Sequence, residues 1–421
     1  MNKKGYLSQY FVAVAAKRLS TVEVNIKKSN QHEFNGSEAL KKVLGTNEYG
    51  DTVTFKSRFV WIEDDNATTT ADAQLSWYNA RFGKERAAEW RLYFPTTDVS
   101  QRAQAGDLLI IARRPDDTLL CIITPAQTTV ESQLLWLFEV PVQSGKSFVY
   151  QDFQQSGDKE ISFPVRFILE ELGIEIEDTE TDYLDSILSR FKGKMPTTKE
   201  FSILTRQTLK DIYPLDDPDA AIMSWMSHEE KLFRRMERFE LEKRLRQGFF
   251  DKKGNADVEG FLKFSLSIQN TRKSRAGLAL ENHTEEIFRL HQIKFDRAKV
   301  TENKAKPDFL FPGAREYHLA SFKNENLTML GVKTTCKDRW RQVLSEANRI
   351  KNKHLLTLEP GISENQTNEM MAHGLQLILP ASIHTTFSTA QRSWLMNLKE
   401  FISHLRSRQV NLKDFSGELF S

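Results

Sequence analysis

The sequence predicts two domains of different fold class, a β-rich N-terminal domain and an α/β C-terminal domain. Three observations lead to this prediction: a hairpin pattern over residues 107–124, a change of composition at residues 173–182, and alternating strand and helix patterns further along the chain. With 421 residues the chain is long enough for two or three domains that each have a core. The hydrophobic fraction of 39% and the charged fraction of 28% are typical of a soluble globular protein.

The N-terminal domain begins with an apolar segment at residues 10–16. It resembles the core of a secretion signal, but it is short and runs directly into two basic residues, so we interpret it as an opening strand. Apolar runs at residues 107–113 and 118–124 flank an Arg-Pro-Asp-Asp sequence, which predicts a β-hairpin. A helix is predicted next, over residues 130–138.

An acidic segment interrupts the apolar pattern at residues 173–182. Such a change is typical of a connection between domains. We therefore predict an N-terminal domain at residues 1–173, a linker at residues 174–196 and a C-terminal domain at residues 197–421.

The C-terminal domain begins with helical patterns and continues with alternating strands and helices. Apolar residues recur at three- and four-residue spacing over residues 232–245, which predicts an amphipathic helix. The later predicted elements, in chain order, are a helix from about residue 274, strands around Phe309 and Leu330, a helix over residues 338–351, strands at residues 355–358 and 375–379, and a helix over residues 391–405. This alternation predicts an α/β sheet with helices on its faces.

Cysteine content and charge limit the possible functions. Two cysteines, Cys121 and Cys336, argue against a disulfide framework or a cysteine-rich zinc site and fit a reducing cytoplasm. A net charge of +2 does not by itself indicate a nucleic-acid partner, although local basic groups could be either DNA contacts or solvated surface. No apolar run reaches the length of a membrane span.

The residues best suited to chemistry lie at positions 307–346. Asp308 beside a proline, Lys333 at the end of an apolar strand and Glu346 on the next predicted helix could hold a divalent metal against a phosphodiester. Carboxylate oxygens bind Mg²⁺, the bound metal activates water, and an ammonium group stabilises developing negative charge. The alternative is an edge-strand Asp, a surface Lys and a solvated helix Glu, and spacing alone does not decide between them.

One position departs from the common nuclease signature, which has an acidic residue two positions before the lysine. Here that position is Gly331. In the predicted helix, Arg339, Gln342 and Glu346 share one polar stripe. We expect that the site is absent or that Glu346 supplies the missing carboxylate.

Lys337, Asp338 and Arg339 form a triplet that suits recognition of G·C base pairs. Lysine and arginine donate hydrogen bonds to guanine O6 and N7, and a carboxylate accepts one from cytosine N4. The triplet closely follows Lys333, so base recognition and catalysis would be adjacent.

Residues 271–358 resemble the catalytic domain of the EcoRII family of restriction endonucleases, which has an α/β restriction-endonuclease-like, or PD-(D/E)xK, fold. The motifs that carry the resemblance are Arg272-Lys273-Ser274-Arg275-Ala276-Gly277, Lys306-Pro307-Asp308-Phe309-Leu310-Phe311-Pro312 and Val332-Lys333-Thr334-Thr335-Cys336-Lys337-Asp338-Arg339-Trp340-Arg341-Gln342. In that family the acidic residue has moved to the helix. The resemblance thus implies Asp308, Lys333 and Glu346 as catalytic residues, Glu281 as an accessory acid, and Mg²⁺ held by the three acids.

The same resemblance implies a target sequence. Lys337, Asp338 and Arg339 would recognise the outer C·G pairs of a CC-x-GG site. The usual target of the family is CCWGG, which is cut before the first C while the central base pair is flipped out.

Residues 77–91 mix aromatic and basic side chains, which suits either DNA contact or a charged strand pair with aromatic residues in the core. The N-terminal domain is similar to the effector domain of the same family, an all-β or α+β pseudobarrel like the plant B-three DNA-binding domain. The family's usual Asn between the arginines is replaced at Ala87 or Ala88. The DNA contacts that the resemblance implies are Arg81, Lys84, Glu89 and Arg91 in one arm and Lys17, Arg18 and His32 in the other.

The resemblance implies a bacterial, cytoplasmic type IIE restriction endonuclease that works as a homodimer on double-stranded DNA. A second copy of the site, bound at the effector domain, would relieve autoinhibition, and a separate methyltransferase would protect the host DNA. The alternatives are a non-cleaving, sequence-specific DNA-binding regulator and a structure-specific repair nuclease. An intact Asp308, Lys333 and Glu346 argues against the former, and the base-reading triplet disfavours the latter.

Overall fold

The computed structural model describes residues 5–24, 32–46, 51–64, 68–141, 147–154, 158–176, 181–191, 195–336 and 339–417. It divides into two compact units. Unit 1 comprises Met1–Glu177 and Pro360–Gln366, and unit 2 comprises Asp178–Glu359 and Thr367–Ser421. Among the described residues, no helix combines the length and apolar character that a membrane crossing requires.

The elements of the first part of the chain are mostly strands. They are β1 Ala13–Arg18, α1 Thr21–Val24, β2 Glu33–Asn35, α2 Glu38–Leu44, β3 Val53–Trp61, β4 Thr69–Asn79, β5 Trp90–Tyr93, α3 Asp98–Arg102, β6 Leu108–Arg113, β7 Leu119–Thr124, α4 Thr129–Phe138, β8 Val149–Asp152 and α5 Phe163–Glu171. The predicted opening strand, hairpin and following helix are confirmed as β1, the β6–β7 pair and α4.

The eight strands of unit 1 form one sheet in the order β2-β5-β4-β3-β7-β6-β1-β8. Successive residues of its central strands face two separate cores: Ile110 and Ile122 pack in a core with α4 and α5, and Ile111 and Ile123 pack in the other with α2. Both faces are buried because side chains alternate along a strand. At the two ends of the strand order, the Phe34 and Phe148 rings lie 6.1 Å apart, so the sheet curls around the second core.

The segment Pro360–Gln366 is part of unit 1 although it is remote in sequence from the rest of that unit. Helix α4 holds it through hydrogen bonds from and to its side chains. Gln133 Nε2 donates to the carbonyl of Pro360 at 3.0 Å, and the amide of Ser363 donates to Thr129 Oγ1 at 3.1 Å. Because Gln133 and Thr129 are buried, this segment satisfies polar groups of α4 that water does not reach.

The later elements alternate between helices and strands. They are α6 Thr181–Leu188, α7 Thr198–Thr208, α8 Pro218–Gln247, α9 Val258–Leu290, β9 Asp296–Arg297, β10 Phe309–Phe311, α10 Ala314–His318, β11 Thr328–Lys333, α11 Arg339–Leu344, β12 Lys353–Thr357, α12 Glu364–Ala372, β13 Leu375–Ile378, α13 Thr389–Arg392 and α14 Leu398–Gly417. Short 3₁₀ helices occur at Leu7–Gln9, Ser189–Phe191, Glu302–Lys304, Asn324–Asn326 and Ala381–Thr386.

The sheet of unit 2 has the order β13-β12-β11-β10-β9. Strands β9, β10 and β11 pair antiparallel, whereas β11, β12 and β13 pair parallel. The ring of Phe288, on α9, packs edge-on against Phe309 at 5.4 Å and Phe311 at 5.3 Å. Phe401, on α14, contacts Phe311 at 5.9 Å. Helices thus pack on this mixed sheet, which confirms the predicted α/β class.

The predicted linker over residues 174–196 is only partly a connection. Helix α6 lies within it, and Leu184, Ile187 and Leu188 are buried against residues of α7 and α8. These three side chains occupy positions i, i+3 and i+4 and therefore lie on one face of the helix. The acidic residues that suggested a linker precede these buried positions in the sequence.

The sequence pattern predicted a helix from about residue 274, but helix α9 already begins at Val258. The side chain of Asp257 accepts a hydrogen bond from the amide of Gly260 at 2.9 Å and caps the helix start. The buried residues of this helix begin at Ala279. The sequence pattern therefore located the part of the helix that contains its buried residues.

Candidate active site

Asp308 and Lys333 meet at neighbouring strands of the unit 2 sheet. Asp308 directly precedes β10, and Lys333 is the last residue of β11, which pairs with β10. Lys333 Nζ lies 2.7 Å from Asp308 Oδ2, and the amide of Val332 donates to the same oxygen at 2.6 Å. Both charged side chains are about one-seventh exposed, so they are neither an edge-strand Asp nor a surface Lys.

Gly331 stands where the common nuclease signature has an acid, and the structure explains its lack of a side chain. A Cβ at Gly331 would lie 2.8 Å from Val343 Cγ2, on helix α11. This distance is too short for van der Waals contact, so α11 packs directly on the backbone of β11. Residues 331 and 333 point to the same face of the strand. A carboxylate on that face must therefore come from outside the strand.

Glu346 lies on a turn and not on the helix that was predicted over residues 338–351. Helix α11 ends at Leu344, and the amide of Glu346 donates to the carbonyl of Val343 at 3.1 Å, which tightens the last turn. Ala347 then adopts a left-handed conformation with φ of 48°. The polar stripe expected for Arg339, Gln342 and Glu346 therefore does not extend to Glu346.

The Glu346 side chain is half-buried, and its carboxyl group is electrostatically coupled to Asp308 and Lys333. Burial raises the pKa of Glu346 to about 7, Asp308 adds to this rise, and Lys333 and Lys353 oppose it. Glu346 Oε2 is buried and has no hydrogen-bond partner among the described residues. The turn therefore brings a carboxylate oxygen without a hydrogen-bond partner close enough to Asp308 and Lys333 for their charges to act on it.

Glu281 lies near the same group but is bound to Arg297, a residue that the sequence analysis missed. Arg297, on β9, places Nη2 2.6 Å from Glu281 Oε2 and Nη1 2.5 Å from Glu285 Oε2. Burial raises the pKa of Glu281, the bond to Arg297 lowers it, and the charge of Asp308 raises it further. No sequence signal identifies Arg297, because its position depends on the pairing of β9 with β10.

Asp308 and Glu346 fit a divalent metal. The unpartnered Glu346 oxygen is the observation that favours such a ligand. Mg²⁺ prefers carboxylate oxygens, and proteins commonly bind it through one or two carboxylates while it keeps several waters. Within the described residues, no cluster of three or more His, Cys, Asp or Glu side chains is arranged to hold a metal. Arg297 engages Glu281, the third acid that the family resemblance implied.

Two of the three base-recognition candidates, Lys337 and Asp338, lie outside the described residues. Arg339 is the first residue of α11 and is exposed. Its amide donates to the carbonyl of Cys336 at 2.6 Å, which fixes the start of the helix to the end of the preceding loop.

In unit 1 the structure brings three of the expected DNA contacts together. Arg91, on β5, lies 2.8 Å from Glu33 Oε2 and 2.7 Å from Glu89 Oε1. Arg81 lies 2.5 Å from Glu89 Oε2. The hydrogen bond from Arg91 holds the pKa of Glu89 below its ordinary value. Lys84 is exposed nearby in the chain, between β4 and β5.

The residues expected in the other arm, Lys17, Arg18 and His32, do not form a cluster like that of Arg81, Glu89 and Arg91. Lys17 is 4% exposed, and its Nζ lies 2.5 Å from Glu23, so it is a buried cation and not a surface contact. Arg18 forms an ion pair with Glu131 of α4. His32 directly precedes β2, which pairs with β5 and not with β1.

Comparison with known proteins finds relatives of the second part of the chain. Residues 233–402 match the family model for the EcoRII C-terminal region. The chain is 43% identical over 190 residues to the type II restriction enzyme EcoRII from Escherichia coli, and the match covers 45% of this chain and 46% of that protein. The matched region thus spans about half the length of the relative.

Two solved structures have weaker similarity. Metal-depleted Ecl18kI in complex with uncleaved, modified DNA has 19% identity and a TM-score of 0.42, with 57% of this chain and 86% of that chain covered. The PspGI restriction endonuclease–substrate DNA complex has 13% identity and a TM-score of 0.37, with 55% and 93% covered. TM-scores below 0.5 support no inference about this chain. The family match and the sequence identity confirm the resemblance predicted from the motifs: residues 233–402 are similar to the EcoRII C-terminal region.

Proposed function

We propose that this protein is a Mg²⁺-dependent type II restriction endonuclease whose active centre comprises Asp308, Lys333 and Glu346. The observation that carries the proposal is the Asp308–Lys333 ion pair beside a buried, unpartnered Glu346 oxygen. Burial of an uncompensated carboxylate destabilises a fold, so it is typical of a functional site. The relationship to the EcoRII enzyme of Escherichia coli gives independent support.

Each residue has a distinct chemical part in the proposed reaction. Asp308 and Glu346 would hold the metal, which when bound lowers the pKa of a coordinated water and stabilises the leaving oxygen. Lys333 orients the attacking water and stabilises negative charge on the phosphoryl oxygens. Asp308 keeps the Lys333 ammonium in place through the 2.7 Å contact. Hydrolysis would leave a 5′-phosphate and a 3′-hydroxyl.

We assign base recognition to Lys337, Asp338 and Arg339, with a CC-x-GG target such as CCWGG. Arg339 is exposed at the start of α11 and is close in sequence to the turn that carries Glu346. An exposed guanidinium at a helix start can reach guanine O6 and N7 in a major groove, and this supports the assignment.

We assign the effector role to unit 1 and the catalytic role to unit 2. Unit 1 would bind a second copy of the target and thereby relieve autoinhibition of a homodimer, and a methyltransferase of the same bacterial cytoplasm would protect host sites. Of the candidate DNA contacts in unit 1, Lys17 is buried, and the others are at least partly exposed: Arg18, His32, Arg81, Lys84, Glu89 and Arg91. Their ion pairs could be exchanged for contacts with phosphate.

The test is cleavage of plasmids that carry one or several CCWGG sites, with and without Mg²⁺. We expect faster cleavage of the multi-site plasmid, and we expect Asp308→Ala to reduce cleavage at least about 10³-fold, because it removes a metal ligand. Asp216→Ala, at an exposed position, is the control. Specific binding to the site without cleavage by any variant, wild type included, would instead establish a DNA-binding regulator.

A further inference from the structure

Strand β12 carries a buried charged residue at its first position, and a second buried charged residue lies just past its end. Lys353 is 6% exposed and Glu359 is 2% exposed. They are six positions apart, which corresponds to about 20 Å of extended chain. Neither residue belongs to the proposed reacting groups. Burial of a charge requires compensating contacts, so the partners of these two residues identify what each one holds.

Lys353 holds the turn that carries Glu346. Its Nζ donates hydrogen bonds to the carbonyl oxygens of Glu346 and Ala347, the latter at 3.1 Å. Carbonyls at a helix C-terminus lack helical partners, and a lysine ammonium satisfies them well. Ala347 has a positive φ, which a residue with a side chain adopts only when its surroundings impose it. The Lys353 ammonium is one such constraint.

Glu359 holds the loop that leads to the base-recognition triplet. Its carboxylate accepts a hydrogen bond from the amide of Cys336, the residue before Lys337. The hydroxyl of Thr357, the last residue of β12, donates to the carbonyl of Thr334 at 3.3 Å. The backbone on both sides of Thr335 is therefore tied to the end of β12, directly ahead of helix α11.

We propose that Lys353 and Glu359 are positioning residues with separate tasks: Lys353 sets the position of the Glu346 metal ligand, and Glu359 sets the position of Cys336, at the end of the segment that leads to the proposed base-recognition triplet. The inference rests on the proposed endonuclease function. Helix α11 lies between the two supported segments, and β12 is the common support. Loss of either residue should therefore impair one property of the enzyme and leave the other.

The first experiment concerns Lys353 in the full-length protein. Lys353→Met should weaken Mn²⁺ binding, measured by calorimetry without DNA, by about tenfold, which is the effect of losing a group that orients a metal ligand. Single-turnover cleavage should fall by about 10–100-fold. The ratio of cleavage at CCWGG to cleavage at a site with one altered outer pair should stay within about twofold of wild type, because base recognition is untouched. Lys353→Arg should restore most of the affinity, and Lys351→Met, at an exposed neighbour, is the matched control.

The second experiment concerns Glu359. Glu359→Leu removes the acceptor for the Cys336 amide, whereas Glu359→Gln keeps an acceptor oxygen. Glu359→Leu should reduce discrimination against a site with one altered outer pair by about tenfold, the order of one base contact, with Mn²⁺ affinity within about twofold of wild type. Glu359→Gln should retain discrimination. Glu325→Leu, at an exposed glutamate, is the control.

The outcomes separate this inference from the proposed function. If wild type cleaves CCWGG DNA but Lys353→Met keeps wild-type Mn²⁺ affinity, or Glu359→Leu keeps wild-type discrimination, the positioning roles are wrong and the enzyme assignment stands. If both variants lose metal binding and discrimination equally, β12 only supports the fold. Thermal unfolding of each variant shows whether it folds. If Lys353→Met or Glu359→Leu does not fold, Lys353→Arg and Glu359→Gln test the positioning roles instead. A wild-type protein that never cleaves would remove both proposals.

Discussion

The charged groups of the two units differ in how completely they are compensated. In unit 1, Arg81 and Arg91 share the Glu89 carboxylate, and Arg91 also reaches Glu33. In unit 2, by contrast, Glu346 retains a buried oxygen without a partner among the described residues. The Arg81–Glu89 pair is partly exposed, and such ion pairs are weak enough to be exchanged for phosphate contacts at small cost. A buried carboxylate oxygen without a hydrogen bond is costly, so the difference is consistent with the proposed binding surface in unit 1 and the proposed reaction centre in unit 2.

Among the variants that test this comparison, Lys333→Met should have the largest effect, because Lys333 forms an ion pair with Asp308 and its charge also acts on Glu346. Lys333→Met removes the ammonium while Asp308 keeps its bond from the Val332 amide, so the local backbone should survive. We expect single-turnover cleavage at saturating Mg²⁺ to fall by about 10²–10³-fold, because one stabilising group of the transition state is lost. Lys323→Met, at an exposed position, should cleave like wild type. A rate for Lys333→Met within about tenfold of wild type would contradict its proposed role.

A smaller effect is expected for the stability of the metal-free protein, with Glu346→Gln as the variant. The pKa of Glu346 is raised from 4.5 to about 7 in the folded protein, so ionisation above pH 7 destabilises the fold and protonation removes this penalty at low pH. We expect Glu346→Gln to raise the free energy of unfolding by about 1–2 kcal/mol at pH 8, with allowance for solvent screening. The gain should shrink as the pH falls from 7 towards 4.5.

Urea denaturation at pH 8 and pH 5 measures this difference. Added Mg²⁺ should stabilise the wild type and not the variant, since only the wild type binds the ion through Glu346. Equal stability of the two proteins at pH 8 without metal would show that the carboxylate is compensated.

The smallest effects are expected in unit 1. Arg91→Ala should weaken DNA binding by about tenfold and should lower the slope of log K against log salt by about one, the value for one phosphate contact. Lys84→Ala, at an exposed position, should have a smaller effect of the same kind. Lys17→Met should leave the salt dependence unchanged and lower the melting temperature, because it leaves Glu23 without its buried partner. Fluorescence anisotropy at several salt concentrations and thermal unfolding distinguish these results. A reduced salt slope for Lys17→Met would place that cation at the DNA surface.

Local patterns in the sequence predicted the elements that pack in the regular way. The β6–β7 hairpin and the strands that contain Phe309 and Leu330 follow directly from apolar runs and turn residues. The Asp308–Lys333 contact was predictable as well, because both residues lie at ends of strands that share a sheet. Contacts of this kind can be predicted from sequence when the expected strand pairing brings together side chains of complementary chemistry.

Features that depend on long-range packing were not predictable. Glu346 lies on a turn because α11 already ends at Leu344. The carbonyls of that turn accept hydrogen bonds from Lys353, which lies on the next strand. Arg297 reaches Glu281 only because β9 pairs with β10. Gly331 looked like a missing catalytic residue, but a Cβ there would lie 2.8 Å from Val343 Cγ2, so a side chain would have to displace that of Val343.

The return of Pro360–Gln366 to unit 1 has a practical consequence for dissection of the protein. A fragment that stops at residue 173 keeps all eight strands of the curled sheet but lacks the carbonyl and amide that bind Gln133 and Thr129 of α4. An unsatisfied buried polar group costs about 1–3 kcal/mol, so such a fragment would be less stable than the same residues in the whole chain. An N-terminal unit with native stability therefore needs a synthetic peptide of this sequence supplied in trans, or the same segment grafted on through a flexible tether.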